Sequence, residues 1–566
     1  MQSKQSQDFQ QSVLFALLTL AALLSLFIFR PFDDNRLTSW NWVFAEFSAI
    51  KFFMMLAAGL FISYPLSRFS LSERMSIFIL CLCSFFIATL FWQQPEVIVD
   101  ASRYFMQAKY LELYGPGYFL TEWGEMIPAW TDMPLVPFIY GVIFRVFGET
   151  RIGVQIFTSL IFSATLGLTF LIGKTLWNKQ IGLYAAALLM GIPYLFTQVP
   201  LLMVDIAAMF FLTLAIYAVI IAVESKNTVY CLSASVAITL ALLVKYSNGL
   251  MLSITPFIFI AYYRYGWKLL FRQGVIITIG VMILLGILLL VKFDVFIGQL
   301  QLLKTYQLPA LSGWKESFPS TFMFQIHPVI TVAAFYSLYR AINQRDARYL
   351  IICWLVVFVV LLNIERIRYL IVIFPMLTLM SAYGFYFLKC SDAVKRFVVT
   401  SIVVSSVLIA VFAYLPFLER TSLSNIKLAG EYLDSIAVDI DRVDVYVQNQ
   451  LSSTVKPSVT VPLLDLFTEQ ELVYHPSRSA LNTPVNIDRL PLRWTWDVDS
   501  TSYLSDKQIG ESDDKTVVII QSRADQQLPE CINSIIKNHY LRKEFKAVDR
   551  AFKFQTTVKI FQRNDL

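Results

Sequence analysis

Thr131-Asp132-Met133-Pro134-Leu135-Val136-Pro137-Phe138-Ile139-Tyr140-Gly141-Val142-Ile143-Phe144-Arg145-Val146-Phe147 is the stretch whose reading decides how the whole chain is threaded. Its apolar part, 135–147, is too short to cross a hydrocarbon core, which takes about 20 helical residues. It opens on Pro134 and Pro137 and contains Arg145, so it reads as an interfacial or re-entrant helix and not as a span. Counting it as a span would invert every loop that follows.

Outward from it, apolar runs recur at about 12–29, 47–65, 75–92, 152–173, 181–199, 205–223, 228–244, 247–263, 273–291, 326–339, 349–363, 367–388 and 397–415, thirteen candidate spans. Flanking aromatic and basic residues can complete the shorter ones. With 135–147 kept out of the membrane, the loops on the N-terminal side hold 15 Lys and Arg against five Asp and Glu. The positive-inside rule then places the N-terminus in the cytoplasm and the C-terminus outside. The first run ends at Phe29-Arg30-Pro31 with no small-residue cleavage site and is expected to be retained as a helix.

Composition agrees with a polytopic α-helical membrane protein. Of 566 residues 57% are hydrophobic and 15% charged, far from the balance of a soluble enzyme or a disordered chain, and a net charge of +6 is too mild to suggest nucleic acid. The charge is unevenly spread: residues 1–418 hold 28 basic and 19 acidic side chains, whereas 419–566 hold 18 and 21. Lipid is the expected solvent of the first part and water that of the second. Six Cys and three His, scattered along the chain, suggest neither a disulfide framework nor a His-rich metal centre.

The division expected is two leading helices in 1–74, a transmembrane domain over 75–418 with a long outer loop at 93–150, and a small soluble extracytoplasmic α/β domain over 419–566. In that tail a helical pattern at 426–436, β runs at 443–447 and 516–521, a helix at 529–539 and closing strands near 552–561 alternate.

Charged residues at the outer ends of spans carry the functional reading. Asp100 stands near the start of an amphipathic helix in the 93–150 loop, where it is either a helix N-cap or a general base at the membrane surface. Asp205 lies where the fifth span leaves the membrane and the sixth enters, and a carboxylate there is solvated, paired or functional, because charge in hydrocarbon costs about 2.5–3.5 kcal/mol or more. Lys245, Arg366 and Arg368 return to the same outer face, either as snorkelling anchors or as phosphate ligands.

Taken in order, these segments resemble the polyprenyl-phosphate-sugar-dependent glycosyltransferases of the GT-C fold, the group that holds the lipid A aminoarabinose transferase and the protein O-mannosyltransferases. Asp100-Ala101-Ser102-Arg103-Tyr104 is similar to the Asp-Glu-x-Arg-Tyr opening of their first outer loop. Thr131-Asp132-Met133-Pro134-Leu135 is similar to the x-Pro-Pro-Leu lead-in to a juxtamembrane helix. Leu202-Met203-Val204-Asp205 resembles the acidic site of the second outer loop, Val244-Lys245-Tyr246-Ser247-Asn248-Gly249 a Lys-Gly element, and Arg366-Ile367-Arg368-Tyr369-Leu370 with Pro375 the late basic motif. The resemblance runs from about 75 to 388. Ala101 departs from the family Glu, Asp132 stands where the aminoarabinose enzymes carry Lys, and Met133 breaks the Pro-Pro pair.

The resemblance implies Asp100 as the catalytic base and Arg103, Tyr104, Asp132, Asp205, Lys245, Arg366, Arg368 and Tyr369 as substrate-binding residues. It implies an inverting transfer from a polyprenyl-phosphate sugar to a lipid, glycan or protein hydroxyl, at the outer face of the inner (plasma) membrane. The residue types fit that chemistry: attack by a hydroxyl needs a base, and a departing phosphate needs positive charge. No cofactor is specified, and a divalent metal is left open. A transporter or flippase of lipid-linked glycans is the main alternative. Against it, the chain shows no paired halves with matching broken helices, and its acidic residues sit on an outer loop instead of mid-span. A non-enzymatic assembly subunit, with the tail as a docking module, is the third reading.

Reporter fusions at about residues 120 and 450 should both give a non-cytoplasmic signal, as the charge asymmetry requires. A cytoplasmic signal at either position contradicts the threading.

Overall fold

In the computed structural model the described residues are 2–69, 72–93, 99–307, 316–436, 442–448, 457–475, 515–521, 525–548 and 555–563. Each of the thirteen apolar runs is helical. Among the described residues, seven helices are long and apolar enough to cross a membrane by length and composition. Others are broken for local reasons. The 181–199 run is Lys179–Leu189 followed by Pro193–Gln198, because Pro193 cannot donate to the preceding turn. The 247–263 run is likewise Tyr246–Met251 and Thr255–Ala261, with Pro256 at the start of the second piece. Ile367–Tyr386 lies at the centre, 89% of its apolar window buried, whereas Trp267–Val291, at 6%, presents its side chains outward as a lipid-facing helix does.

Loops at the two ends of this bundle keep separate company. At one end Glu73 takes Lys174 and Lys179 at 2.6 Å each, Trp177 donates to Asp346, Gln180 to Asp392, and Arg396 to the Ser67 carbonyl. These are the loops whose basic excess marks them as one face. Asp100, Asp205, Lys245 and Arg368 meet at the other end.

The stretch that decides the threading is a helix, Leu135–Phe147, with Val136, Tyr140 and Phe144 buried at helical spacing and Val146 and Phe147 exposed. It packs across the loop helix Val99–Glu122 at Gly141, where a Cβ would stand 2.7 Å from the Ala108 carbonyl oxygen. The loop segment Val99–Glu122 is two helices in succession: the first ends at Gly115, whose φ of 89° suits glycine, and the second starts at Pro116.

The two leading helices, Gln2–Ile28 and Ala49–Arg68, pack on Asp392–Ile409 and its continuation around a cluster of Phe27, Trp40, Phe44, Phe52 and Tyr414. The turn between them reaches the loop at 316–325 through a buried hydrogen-bonded network described below.

The tail forms a five-stranded sheet of order β2-β1-β3-β5-β4, with β1 Arg442–Gln448, β2 Glu471–His475, β3 Thr516–Gln521, β4 His539–Val548 and β5 Gln555–Arg563. β2, β1 and β3 are parallel, and β5 runs antiparallel to both β3 and β4. The helix Ser424–Ser435 and strands β1 and β3 fall where the sequence pattern puts them. Three details differ. The expected 529–539 helix is shorter, Glu530–Ile535 with a single 3-10 turn to Asn538, since His539 already opens β4. Helix Pro457–Asp465 and β2 carry no expectation from sequence, the first because Pro462 interrupts its pattern. Of the closing strands, 552–554 lie outside the described residues.

The sheet domain rests on the 93–150 loop. Lys109 pairs with Asp465 of the tail and, at 3.1 Å, with Glu149, while Lys427 donates to the Gln93 carbonyl at 3.0 Å. Loop and tail therefore share one side of the helical bundle.

Candidate active site

Each charged group of the site sits where a helix begins or breaks, so that its side chain leaves the apolar packing. Asp205 is the first residue of Asp205–Ser225, where the helix dipole favours a carboxylate. Lys245 interrupts two helices, extended at φ −160° and ψ 135° between Thr228–Val244 and Tyr246–Met251. Asn248 spans that break, donating to the Ala241 and Ala208 carbonyls at 3.0 and 3.3 Å, and so ties the Lys245 junction to the Asp205 helix. Arg366 precedes the helical turn Ile367–Leu370, which carries Arg368 and Tyr369. Asp100, Arg103, Tyr104 and Gln107 share one face of the loop helix, at spacings of three and four.

These residues join in a single line of alternating charge. Lys245 Nζ is 2.5 Å from Asp205 Oδ1, and Arg368 Nε is 2.9 Å from Asp205 Oδ2. The same guanidinium reaches Asp100 Oδ2 through Nη2 at 2.8 Å. Arg103 Nη1 lies 3.4 Å from Asp100 Oδ1, and Arg103 Nη2 is 2.8 Å from Asp132 Oδ1. Asp132 also accepts from the Tyr104 hydroxyl at 3.0 Å and from Gln107 Nε2 at 3.2 Å. Tyr369 stands between two cations, its hydroxyl 3.3 Å from Arg366 Nη1 and its ring 5.3 Å from the Arg366 guanidinium and 5.7 Å from Lys245 Nζ. All nine residues singled out from the sequence are thus in one place. Asp205 is 1% exposed, whereas the side chains of Asp100 and Lys245 keep 14% and 21%, so the accessible end of the line is a carboxylate and an ammonium.

The electrostatics divide the two loop carboxylates. Burial pushes Asp100 up, but the guanidinium groups of Arg368 and Arg103 outweigh it and hold the carboxyl below its usual range. At Asp132 burial wins over Arg103, and its carboxyl is raised. Asp132 with Arg103 and Tyr104 thus forms one buried end of the line, and Asp100 stays ionised between Arg368 and Arg103.

Sequence reasoning missed the neutral partners. Gln299 donates to the Asp132 carbonyl at 2.8 Å and accepts from Tyr246, which fastens the 129–132 turn to the helix Phe293–Leu302. Gln107 had one usable signal, its place on the helix face of Arg103. Glu316 is a third: its Oε2 accepts from the Ile367 amide at 3.1 Å, and its Oε1 lies 4.0 Å from Arg366 Nε.

A divalent ion needs several oxygen ligands free to converge. Asp100, Asp132 and Asp205 are each taken up by Arg or Lys, and no group of three or more His, Cys, Asp or Glu placed to hold a metal occurs among the described residues. The donor set does not fit such an ion.

With this geometry in hand, comparison with known proteins gives the fold its place. Residues 131–292 match the family described as dolichyl-phosphate-mannose-protein mannosyltransferase. No curated protein matches the chain in sequence. Among solved structures, ArnT from Cupriavidus metallidurans in the apo state is 11% identical with a TM-score of 0.52, over 85% of this chain and 97% of that one. The same protein bound to undecaprenyl phosphate is 12% identical with the same TM-score and coverage. The Archaeoglobus fulgidus oligosaccharyltransferase in its apo form is 11% identical at a TM-score of 0.47, over 78% of this chain and 69% of that one. The chain thus has the GT-C fold seen in ArnT, and within that fold residues 131–292 carry the pattern of the mannosyltransferase family.

Breaking a buried ion pair from one side costs about 3–5 kcal/mol, because the surviving charge is left uncompensated. Asp205→Ala, which strands Lys245 and leaves Arg368 with Asp100 alone, should therefore lower thermal stability in detergent clearly. Lys245→Met should cost much less, since Arg368 still neutralises Asp205. Equal losses would contradict the shared pairing.

Proposed function

We propose that this chain, which has the GT-C fold, transfers a sugar from a polyprenyl-phosphate donor to the hydroxyl of a lipid, glycan or protein acceptor, on the face of the membrane that carries the 93–150 loop. The observation that carries this reading is the Arg368 bridge: one guanidinium holds both Asp100 and Asp205, with Lys245 and Arg366 beside it, at the ends of apolar helices. A base and a cluster of cations are what hydroxyl attack with a phosphate leaving group requires. That ArnT has been crystallised with undecaprenyl phosphate supports a lipid phosphate as the ligand of such a fold.

In the reaction the acceptor oxygen forms a bond to the anomeric carbon as the bond from that carbon to the phosphate oxygen breaks. The acceptor proton passes to Asp100. The bonding pair leaves with the polyprenyl phosphate, whose added charge Arg366, Arg368 and Lys245 stabilise. Attack from the side opposite the phosphate inverts the anomeric centre. The Arg368 bridge also orders the steps: a donor phosphate that shares Arg368 weakens its hold on Asp100, so the carboxylate becomes a stronger base once the donor is in place.

The basic loops at the far end of the bundle support a cytoplasmic assignment for that end, and with it an extracytoplasmic site in the inner or plasma membrane. A transporter has no use for a base at this point, so activity separates the readings.

Asp100→Asn should abolish transfer, a loss of about 10²–10⁴-fold, while donor binding persists; near-normal turnover would leave Asp100 with a structural role only. Because Arg368 and Arg103 depress Asp100, the acid limb of the parent pH profile should lie below the ordinary carboxylate range, and Arg103→Gln should move it to higher pH. A limb that does not move contradicts the coupling.

Arg366→Lys and Arg368→Lys distinguish phosphate binding from anchoring. A lysine snorkels as well as an arginine but cannot reproduce its planar fork, so at least one of the two variants should lose transfer measured against donor concentration. Parent-like curves for both would return these residues to membrane anchoring.

A further inference from the structure

The turn between the two leading helices is built into the donor end of the site. Residues 33–40 form a compact, hydrogen-bonded unit: Asp33 accepts from the amides of Asn35 at 3.1 Å and Trp40 at 2.7 Å, and Asn35 Oδ1 accepts from the amide of Thr38 at 2.6 Å. From this unit hydrogen bonds cross to three residues of the loop at 316–325. Ser320 donates to Asp33, Gln325 Nε2 donates to Asp33 Oδ2 at 2.9 Å, and Ser317 donates to Asp34 through its amide and its hydroxyl at 3.0 and 3.1 Å. The fourth crossing matters most. Asn35 Nδ2 donates at 3.2 Å to Glu316 Oε2, the same oxygen that accepts from the Ile367 amide, while Glu316 Oε1 faces Arg366. Thr321 completes the clamp by donating to the Glu365 carbonyl at 2.5 Å. The backbone on both sides of Arg366 is therefore held by the 316–321 segment, and that segment is held by the turn of the leading helices.

We propose that Glu316, anchored by Asn35, is a positioning residue that holds Arg366 ready for the lipid phosphate and gives way to it, so that the two leading helices are part of the donor site. The proposal rests on the donor reading above. Glu316 is 2% exposed, and a buried carboxylate beside an arriving phosphate repels it unless it is neutralised. The groups that face it are Arg366, Asp33 and the amides of Ile367 and Arg36, with the Tyr194 hydroxyl in electrostatic range. Burial raises its carboxyl to about 6, against the hydrogen bonds and Arg366, which lower it. Below that pH Glu316 is neutral and does not oppose a phosphate at Arg366; above it the carboxylate competes. Donor affinity is thus coupled to protonation of a residue that touches no part of the reacting sugar.

The test is saturable binding of polyprenyl phosphate to the full-length protein in detergent at pH 5.5 and 7.5, for the parent, Glu316→Gln and Asn35→Ala, with thermal midpoints recorded for each. Glu316→Gln keeps an oxygen for the Ile367 amide and removes only the charge. It should bind roughly threefold to tenfold more tightly than the parent at pH 7.5 and about as tightly as the parent at pH 5.5, where Glu316 is already protonated. The second ionisation of the phosphate is common to both proteins, so the comparison isolates Glu316. Asn35→Ala leaves the carboxylate but unhooks it from the turn, and should raise the KM for the sugar donor several-fold with the pH difference in binding intact. Parent-like affinity and pH response in Glu316→Gln overturn the role given to Glu316, and an unchanged KM in Asn35→Ala overturns that of the leading helices. Either result, with binding by the parent intact, spares the donor reading; no binding by the parent overturns both.

Discussion

Arg368 pairs with two carboxylates at once, and much of the architecture follows from that double contact. Its Nε bonds Asp205 and its Nη2 bonds Asp100, so a late helix is tied at one point to the start of a central helix and to the first long loop. Lys245 then closes Asp205 from the opposite side, and Arg103 carries the alternation onward to Asp132. Buried pairs of this kind seldom add net stability over well-packed apolar side chains, because desolvation consumes most of the Coulomb gain. What they fix is register. Segments more than a hundred residues apart meet with their charged atoms within hydrogen-bond distance, which apolar packing among near-equivalent helices would not specify.

The same line of charge is supported from outside by the sheet domain and the leading helices. The loop helix that carries Asp100 is pressed from one side by Leu135–Phe147, whose Gly141 permits close approach, and from another by the tail through Lys109 and Asp465. The segment that carries Arg366 is gripped by Glu316 and Thr321, and these by the 33–40 turn. The site is thus a seam between parts of the chain, and its charged groups are oriented by neighbours on either side of the line.

What could be read in advance follows the cost of placing each residue type. Asp205, Lys245, Arg366 and Arg368 stand out because charge at the edge of an apolar run needs a reason, and the positive-inside count turns their positions into one shared face. The GT-C resemblance adds Asp100, Arg103, Tyr104, Asp132 and Tyr369, and the structure brings all nine together. Gln107 offered only its place on the helix face of Arg103, and Gln299 and Glu316 were illegible: an amide or a loop carboxylate in a polar stretch is unremarkable until its partner is known. In the tail, β1 and β3 were legible as buried apolar runs, but β4 alternates weakly because most of it is exposed, and it escaped notice. After the break at Gly115 a second helix follows the expected one, which the sequence pattern did not show.

The most direct measurement is a structure of the full-length protein with polyprenyl phosphate bound. The phosphate is expected within hydrogen-bond distance, about 3 Å, of the Arg366 or Arg368 guanidinium, with Asp100 open toward the space where an acceptor hydroxyl would sit. A phosphate seated elsewhere, with Arg366 still facing Glu316 and Arg368 still bridging Asp100 and Asp205, would contradict the assignment of this line of charge as the donor site.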